Sequence, residues 1–155
     1  MKHLKKLAAL LLVGVLALSL LTACGGGSGS TSQDAQAEAA VMAAINDNRD
    51  NRSDKLQNSS ELRKIANQDL DATIKSGNLS SSFTFKSHTD LKNGKFGATF
   101  IAKCDYKNTD LAKLIKTDTN INSHNMNSWS DVGVVVRTVD GQTYIAISVV
   151  FKTKT

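Results

Sequence analysis

The chain has 155 residues, of which 41% are hydrophobic and 5% aromatic, and its formal net charge at pH 7 is +5. This length suits a single compact domain. The basic residues form no dense face with interleaved aromatic side chains, so composition and charge argue against nucleic acid as a partner.

The first 24 residues have the pattern of an export signal. Lys2, Lys5 and Lys6 precede an apolar run, Leu7–Leu21, which is typical of a signal peptide rather than a spanning helix. The run ends in Leu-Thr-Ala-Cys, which resembles a bacterial lipoprotein signal. In such a signal the thiol of Cys24 receives a diacylglyceryl group, and two acyl chains hold the mature N-terminus to the outer face of a membrane. The alternative is an ordinary cleaved signal in which Cys24 is incidental.

Cleavage before Cys24 changes the charge balance. The remaining 132 residues carry 16 Lys and Arg against 14 Asp and Glu, so much of the basic excess belongs to the leader. The segment Gly25–Ser32, GGGSGSTS, is typical of a flexible tether. The sequence therefore predicts a signal peptide at 1–23, a lipidated and flexible segment at 24–33, and one domain at 34–155.

Three helices are predicted along this domain. The first runs from Asp34 to Arg49 and places Val41, Ala44 and Ile45 on one face. The second is capped by Asn58, with Glu61 three residues on, and stops at Gly77, which supplies a left-handed end. Its apolar face repeats at helical spacing through Leu62, Ile65, Ala66, Leu70, Thr73 and Ile74. A short third helix is predicted from Asp110 to Lys116.

Strand patterns begin at Phe83 and Phe85 and continue in the run Phe96–Tyr106. A polar, Asn-rich surface loop is predicted from Thr117 to Ser130. The last two strands, Val132–Thr138 and Thr143–Phe151, flank Asp140-Gly141, which favours a tight hairpin turn.

The last strand is apolar on both sides, which indicates a central strand covered by two layers. The predicted fold class is α+β: a three-layer α-β-α sandwich of about three helices around a mainly antiparallel sheet that ends in a C-terminal β-hairpin.

Several segments occur in an order that resembles a known family. Ile45–Arg49 is similar to a hydrophobic-Asn-x-x-Arg motif at the end of a first helix, and the pattern of Leu56, Leu62 and Ala66 is similar to that of a second helix. Trp129–Val134 and Gly141–Phe151 resemble the entry to a penultimate strand and a last strand. Together they resemble the CAP superfamily of cysteine-rich secretory, antigen 5 and pathogenesis-related proteins, in its bacterial SCP-like form.

The resemblance implies a degenerate cavity. Family members with an intact cavity carry two His and two Glu that can hold a divalent ion. His88, in Ser-His-Thr-Asp, resembles the first His motif, and Thr99 stands where a carboxylate would be. The second His motif aligns onto Thr117–Asn120 without its histidine, and His124 substitutes only if that loop is shortened.

Other candidates have two interpretations each. Trp129 is a cavity candidate as a ligand-stacking ring, although core packing is favoured. Cys104 is interpreted as a buried small hydrophobe rather than a catalytic thiol, since no His or Asn spacing accompanies it. A basic cluster around the third helix is interpreted as a solvated face, or else as a weak site for anionic lipid or wall polymers; it comprises Lys103, Lys107, Lys113 and Lys116.

Three functional hypotheses follow. The first is a membrane-anchored extracytoplasmic domain that binds cell-wall, lipid or extracellular protein ligands without catalysis or cofactor, because its two histidines lack acidic partners. The second is a metal-assisted hydrolase that uses His88 and His124 with Asp90. The third is a lipoprotein of unrelated α+β fold that recognises a small solute.

Overall fold

The computed structural model of the protein describes residues 32–50 and 54–152, apart from the side chain of Ser32. The predicted signal peptide, Cys24 and nearly all of the predicted tether lie outside these residues. None of the helices in the described part of the chain combines the length and apolar character needed to cross a bilayer.

The described chain contains four α-helices, one 3-10 turn and four strands. In chain order these are α1 (Ser32–Asp47), α2 (Ser60–Ser76), β1 (Thr84–Lys92), β2 (Lys95–Lys103), α3 (Leu111–Thr117), α4 (Thr119–Asn122), the 3-10 turn (Met126–Ser128), β3 (Trp129–Val139) and β4 (Gln142–Phe151).

The strands form one antiparallel sheet in the order β1-β2-β4-β3. Strand β4 is therefore central, as its two apolar faces predict. Alternate residues of each strand face opposite layers. On one face, α1, α3 and α4 cover a large core whose strand residues include Phe100, Ile145 and Ile147. On the other face, α2 packs Ala66 and Leu70 against Ile101, Val135, Tyr144 and Ala146. The three-layer α+β fold is confirmed.

Both hairpins close through turns in which the two central residues have positive φ, the geometry that matches the twist of paired strands. Asp140 and Gly141 have φ of 50° and 77°, so the predicted C-terminal hairpin is confirmed. Asn93 and Gly94 have φ of 53° and 73° and join β1 to β2 in the same way. This second hairpin was not among the sequence predictions, although its Asn-Gly pair is the same kind of signal.

Three predicted boundaries need correction. Helix α1 begins at Ser32, inside the segment predicted as tether, and ends at Asp47 rather than Arg49. In its first turn the buried side chain of Asp34 binds Thr138 of β3. The N-cap of α2 is Ser59, whose side chain accepts a hydrogen bond from the N–H of Leu62, whereas Asn58 binds β3 instead. The predicted surface loop Thr117–Ser130 contains α4 and the 3-10 turn, because Asp118 caps a new helical turn.

Candidate functional site

His88 and Thr99, two of the predicted cavity residues, do meet, and they meet at a buried carboxylate. His88 Nε2 lies 2.8 Å from Asp69 Oδ2 and 3.2 Å from Thr99 Oγ1. Thr99 Oγ1 donates to Asp69 Oδ2 at 2.6 Å and lies 2.8 Å from Ser148 Oγ. Lys86 Nζ donates to Asp69 Oδ1 at 2.6 Å. We call these five residues the Asp69 cluster.

The fold explains why these side chains converge. Lys86, Thr99 and Ser148 lie in one row across the sheet, because Lys86 pairs with Thr99 and Thr99 with Ser148. His88 lies two residues along β1 from Lys86 and therefore on the same face. Asp69 lies on the buried face of α2, which crosses this row from above. The cluster thus ties the helix to three strands.

The electrostatics of the cluster favour an ionised Asp69. Burial alone would raise the pKa of this carboxyl, but the hydrogen bonds from Lys86 and Thr99 outweigh it, together with the charges of His88 and Lys86. The pKa of Asp69 is therefore held below its ordinary range. The prediction that the histidines lack an acidic companion is wrong for His88.

The cluster is not arranged as a nucleophile with a proton relay. In such a relay, the two ring nitrogens of a histidine face the acid and the nucleophile separately. Here a single nitrogen of His88 faces both Asp69 and Thr99. The Thr99 and Ser148 residues are each 0% exposed, so no substrate reaches either hydroxyl. The cluster is chemically suited to holding α2 on the sheet.

His124 does not join His88. Its ring centroid lies 5.3 Å from those of Phe85 and Phe100, on the face of the sheet opposite the Asp69 cluster. Phe100 alternates with Thr99 along β2, which fixes this separation. The shared cavity of His88, Thr99 and His124 is therefore not formed, and a hydrolase site built from the two histidines is ruled out by this geometry.

The remaining candidates have local roles. Asp90 is exposed and accepts a hydrogen bond from the N–H of Gly94 in the β1–β2 turn, so its role is in the turn. Trp129 is 0% exposed and packs 6.1 Å from Phe100, as its core-packing interpretation predicts. Cys104 is buried, and burial raises the pKa of its thiol, which disfavours the reactive thiolate.

Within residues 32–50 and 54–152, no group of three or more His, Cys, Asp and Glu side chains could hold a metal ion. The Asp69 cluster offers one carboxylate and one imidazole, and the ammonium of Lys86 lies against the same carboxylate. Such a set does not resemble a zinc or calcium site.

The Ile45–Arg49 motif has a structural role in this chain. Asn46 binds both backbone groups of Leu56, at 2.8 Å and 3.0 Å. The guanidinium of Arg49, which is buried, donates to the carbonyls of Met126, Trp129 and Asp54. These contacts link the end of α1 to Asp54 and to the start of β3.

A half-exposed group of rings lies on the face opposite the Asp69 cluster. Phe85 and Phe96 are 55% and 50% exposed, the most exposed large hydrophobic side chains among the described residues. His124 stacks on Phe151 at 5.9 Å, and Phe151 stacks on Phe96 at 5.5 Å. We call Phe85, Phe96, His124 and Phe151 the aromatic strip. Because these rings form a row, the strip is a candidate interaction surface.

The two edges of the sheet differ in how their backbone N–H and C=O groups are hydrogen-bonded. Along β3, the backbone groups are taken by neighbouring residues: Val134 N–H donates to Asn58, Val136 N–H to Glu38 and Thr138 N–H to Asp34. Ser59 N–H also donates to the Val132 carbonyl at 2.8 Å. Within the described residues, no such contact covers the outer edge of β1, beside the aromatic strip. We call β3 the closed edge and β1 the open edge.

The sequence patterns did not predict the buried carboxylates that bind the sheet at these sites. Asp69 lies three residues after Ala66 on the predicted apolar face of α2, and a charge on that face was the available signal. Asp34 and Glu38 are 0% and 2% exposed, and their spacing of four residues places both on the side of α1 that meets β3.

Comparison with known proteins finds no relative: no family model, no curated protein and no solved structure matches the chain. The resemblance to the CAP superfamily stays a prediction. The functional content of that resemblance required His88 to lie near the Thr117–Trp129 segment, and His88 lies on the other side of the sheet.

Proposed function

We propose that the protein is a lipid-anchored domain on the outer face of a bacterial membrane, where it binds a partner through the aromatic strip and carries out no catalysis. The leader pattern and Cys24 support the location. The hydroxyl groups of Thr99 and Ser148 in the Asp69 cluster are fully buried, which argues against catalysis there.

The observation that carries the binding role is the exposure of Phe85 and Phe96 on a face that is otherwise part of the core. Leaving these rings in water forgoes apolar burial. A surface of this kind is common where a protein meets a partner.

Anchoring is tested by feeding cells a clickable palmitate analogue. Wild-type protein and the Cys104→Ser variant are expected to carry the label, and Cys24→Ser is expected to lose it. Labelling that persists in Cys24→Ser would contradict the anchor.

Binding at the strip is tested by photo-crosslinking in intact cells. Benzoylphenylalanine replaces Phe85 or Phe96, and a matched control carries it at Lys113, which is exposed on α3. We expect discrete adducts from positions 85 and 96 that are absent from position 113. Equal adduct patterns at all three positions would contradict a recognition role for the strip.

A further inference from the structure

We propose that the open edge β1 takes an extended peptide as a fifth strand, and that this peptide carries acidic and apolar side chains in alternation. The inference rests on the proposed function and names the chemistry of the partner at the same surface.

The backbone of β1 indicates that the partner is a strand. An edge strand presents a row of N–H and C=O groups that another extended backbone can satisfy in register. The contacts from Asp34, Glu38 and Asn58 satisfy these groups at the closed edge and leave β1 as the edge available for addition. Regular pairing with β2 covers Thr84 to His88 and becomes irregular between His88 and Lys92. The added strand therefore pairs along Thr84–His88.

The side chains of β1 indicate what the peptide carries. On the α2 side of β1 lie Lys86 and His88. The Lys86 side chain is 57% exposed, whereas its partner Asp69 is 6% exposed, so an approaching strand meets the ammonium rather than the carboxylate. On the other side lies Phe85, which is 55% exposed. Opposite charges and apolar pairs on neighbouring strands are favourable, which selects acidic side chains on one face of the peptide and apolar ones on the other.

The same charge argues against a second copy of the chain at this edge. Symmetric antiparallel pairing of Thr84–His88 with its own copy is centred on Lys86, so the two ammonium groups would lie side by side. Like charges directly opposite each other destabilise a sheet, and an edge lysine is a common protection against self-pairing.

The test uses the protein as its host produces it, purified in neutral detergent, and four seven-residue fluorescent peptides. These are alternating Glu-Val, alternating Lys-Val, Glu-Val with a fully N-methylated backbone, and a Glu-Val peptide with the glutamates grouped at one end. We expect the alternating Glu-Val peptide to bind at least about tenfold more tightly than each of the other three. The Lys-Val peptide lacks the negative charge, the N-methylated peptide lacks the backbone donors, and the peptide with grouped glutamates lacks the alternation.

Two further measurements locate the site. Hydrogen exchange of the wild-type protein with the Glu-Val peptide is expected to slow within residues 84–92. The Lys86→Gln variant keeps a donor for Asp69 and is expected to lose most of the preference for Glu-Val over Lys-Val, while Lys113→Gln on α3 retains it.

Equal binding of the N-methylated peptide, protection outside β1, or a dimer joined through β1 would each overturn strand addition. These results are distinguishable from a failure of the proposed function. If positions 85 and 96 crosslink a partner in cells but the peptides do not discriminate, binding at the strip stands and strand addition fails.

Discussion

At the scale of single residues, the carboxylate of Asp69 joins α2 to strands β1 and β2. It receives hydrogen bonds from Lys86 and Thr99 and contacts His88 while 4% exposed. We expect Asp69→Asn to lower the free energy of unfolding by about 2–3 kcal/mol, because a buried set of donors loses its charged acceptor. Urea denaturation measures this loss.

Asp71→Asn is the matched control for that measurement. Asp71 lies two residues further along α2, is exposed, and contacts Arg137. An exposed ion pair contributes little, so a loss below about 1 kcal/mol is expected. Equal losses in the two variants would show that the Asp69 cluster does not hold α2 on the sheet.

Two carboxyl groups, Asp69 and Glu38, have opposite effects on how stability depends on pH. The pKa of Asp69 is lowered in the folded protein, so its contribution is present above its unfolded pKa and is lost as the pH falls through the folded pKa. Burial raises the pKa of Glu38 despite Arg63, so its protonation contributes stability that is full below its unfolded pKa and is lost as the pH rises through the folded pKa.

We therefore expect the wild type to lose more stability than Asp69→Asn as the pH falls below about 4, the ordinary range of an aspartate. Glu38→Gln is expected to remove the loss of stability that Glu38 causes as the pH rises. The decline in stability below pH 4 is expected to remain in this variant. Urea midpoints between pH 2.5 and pH 6 measure both. An unchanged pH profile in Asp69→Asn would contradict the role assigned to its charge.

The residues that sequence reasoning placed correctly are those whose role is local or apolar. Trp129 and Cys104 are core residues because large and small apolar side chains are generally buried, whatever the fold. His88 and Thr99 were placed together by the resemblance, but Asp69 could not be assigned to them. Its contacts depend on how α2 crosses the sheet, and no local pattern encodes that crossing.

At the scale of elements, α2 lies very close to the sheet at Gly133 on β3. A side chain at this position would collide with the backbone of Leu62 and Arg63. We expect Gly133→Ala to destabilise the fold by about 2–4 kcal/mol, because backbone cannot move aside as a flexible side chain can. Thermal unfolding followed by circular dichroism provides the measurement.

Gly94→Ala separates crowding from backbone conformation. Gly94 has a φ of 73° in the β1–β2 turn, and a side chain there meets nothing within 4 Å. Only the cost of a left-handed conformation remains, about 1 kcal/mol. A Gly133→Ala variant as stable as Gly94→Ala would mean that α2 does not rest on the sheet at this point.

Elements were predictable where local chemistry decides them. The face of α2 and the Asp140-Gly141 turn follow from spacing and from residues that accept positive φ. The Asn93-Gly94 pair is the same kind of turn signal. It did not lead to a predicted hairpin because the flanking strand β1 is largely exposed and lacks a clear apolar alternation. Helix α4 escaped prediction because it is one turn long and depends on capping by Asp118.

At the scale of the whole molecule, the two ends of the sheet carry different groups. Helix α1 begins beside Thr138, since the side chain of Asp34 binds that residue. The rings of Phe96 and Phe151 lie with Trp129 at the opposite end of β3, nine residues or about 30 Å away. With Cys24 lipidated as proposed, the eight residues from Cys24 to Thr31 would allow at most about 28 Å between the membrane and the start of α1. If the strip binds a peptide as proposed, we expect the anchored domain to keep the end that carries Phe96 and Phe151 away from the lipid.

This orientation can be measured with the native fluorescence of the protein. Trp129 is the single tryptophan of the chain and lies next to Phe100, beneath the aromatic strip. In vesicles that contain doxyl-labelled phosphatidylcholine, we expect the emission of Trp129 in the anchored protein to match that in unlabelled vesicles. A matched variant with Trp129→Phe and Tyr106→Trp moves the fluorophore toward the start of α1, where stronger quenching is expected. Quenching of Trp129 that equals the quenching at position 106 would mean that the domain lies on its strip, and the bilayer rather than a peptide would then cover Phe85 and Phe96.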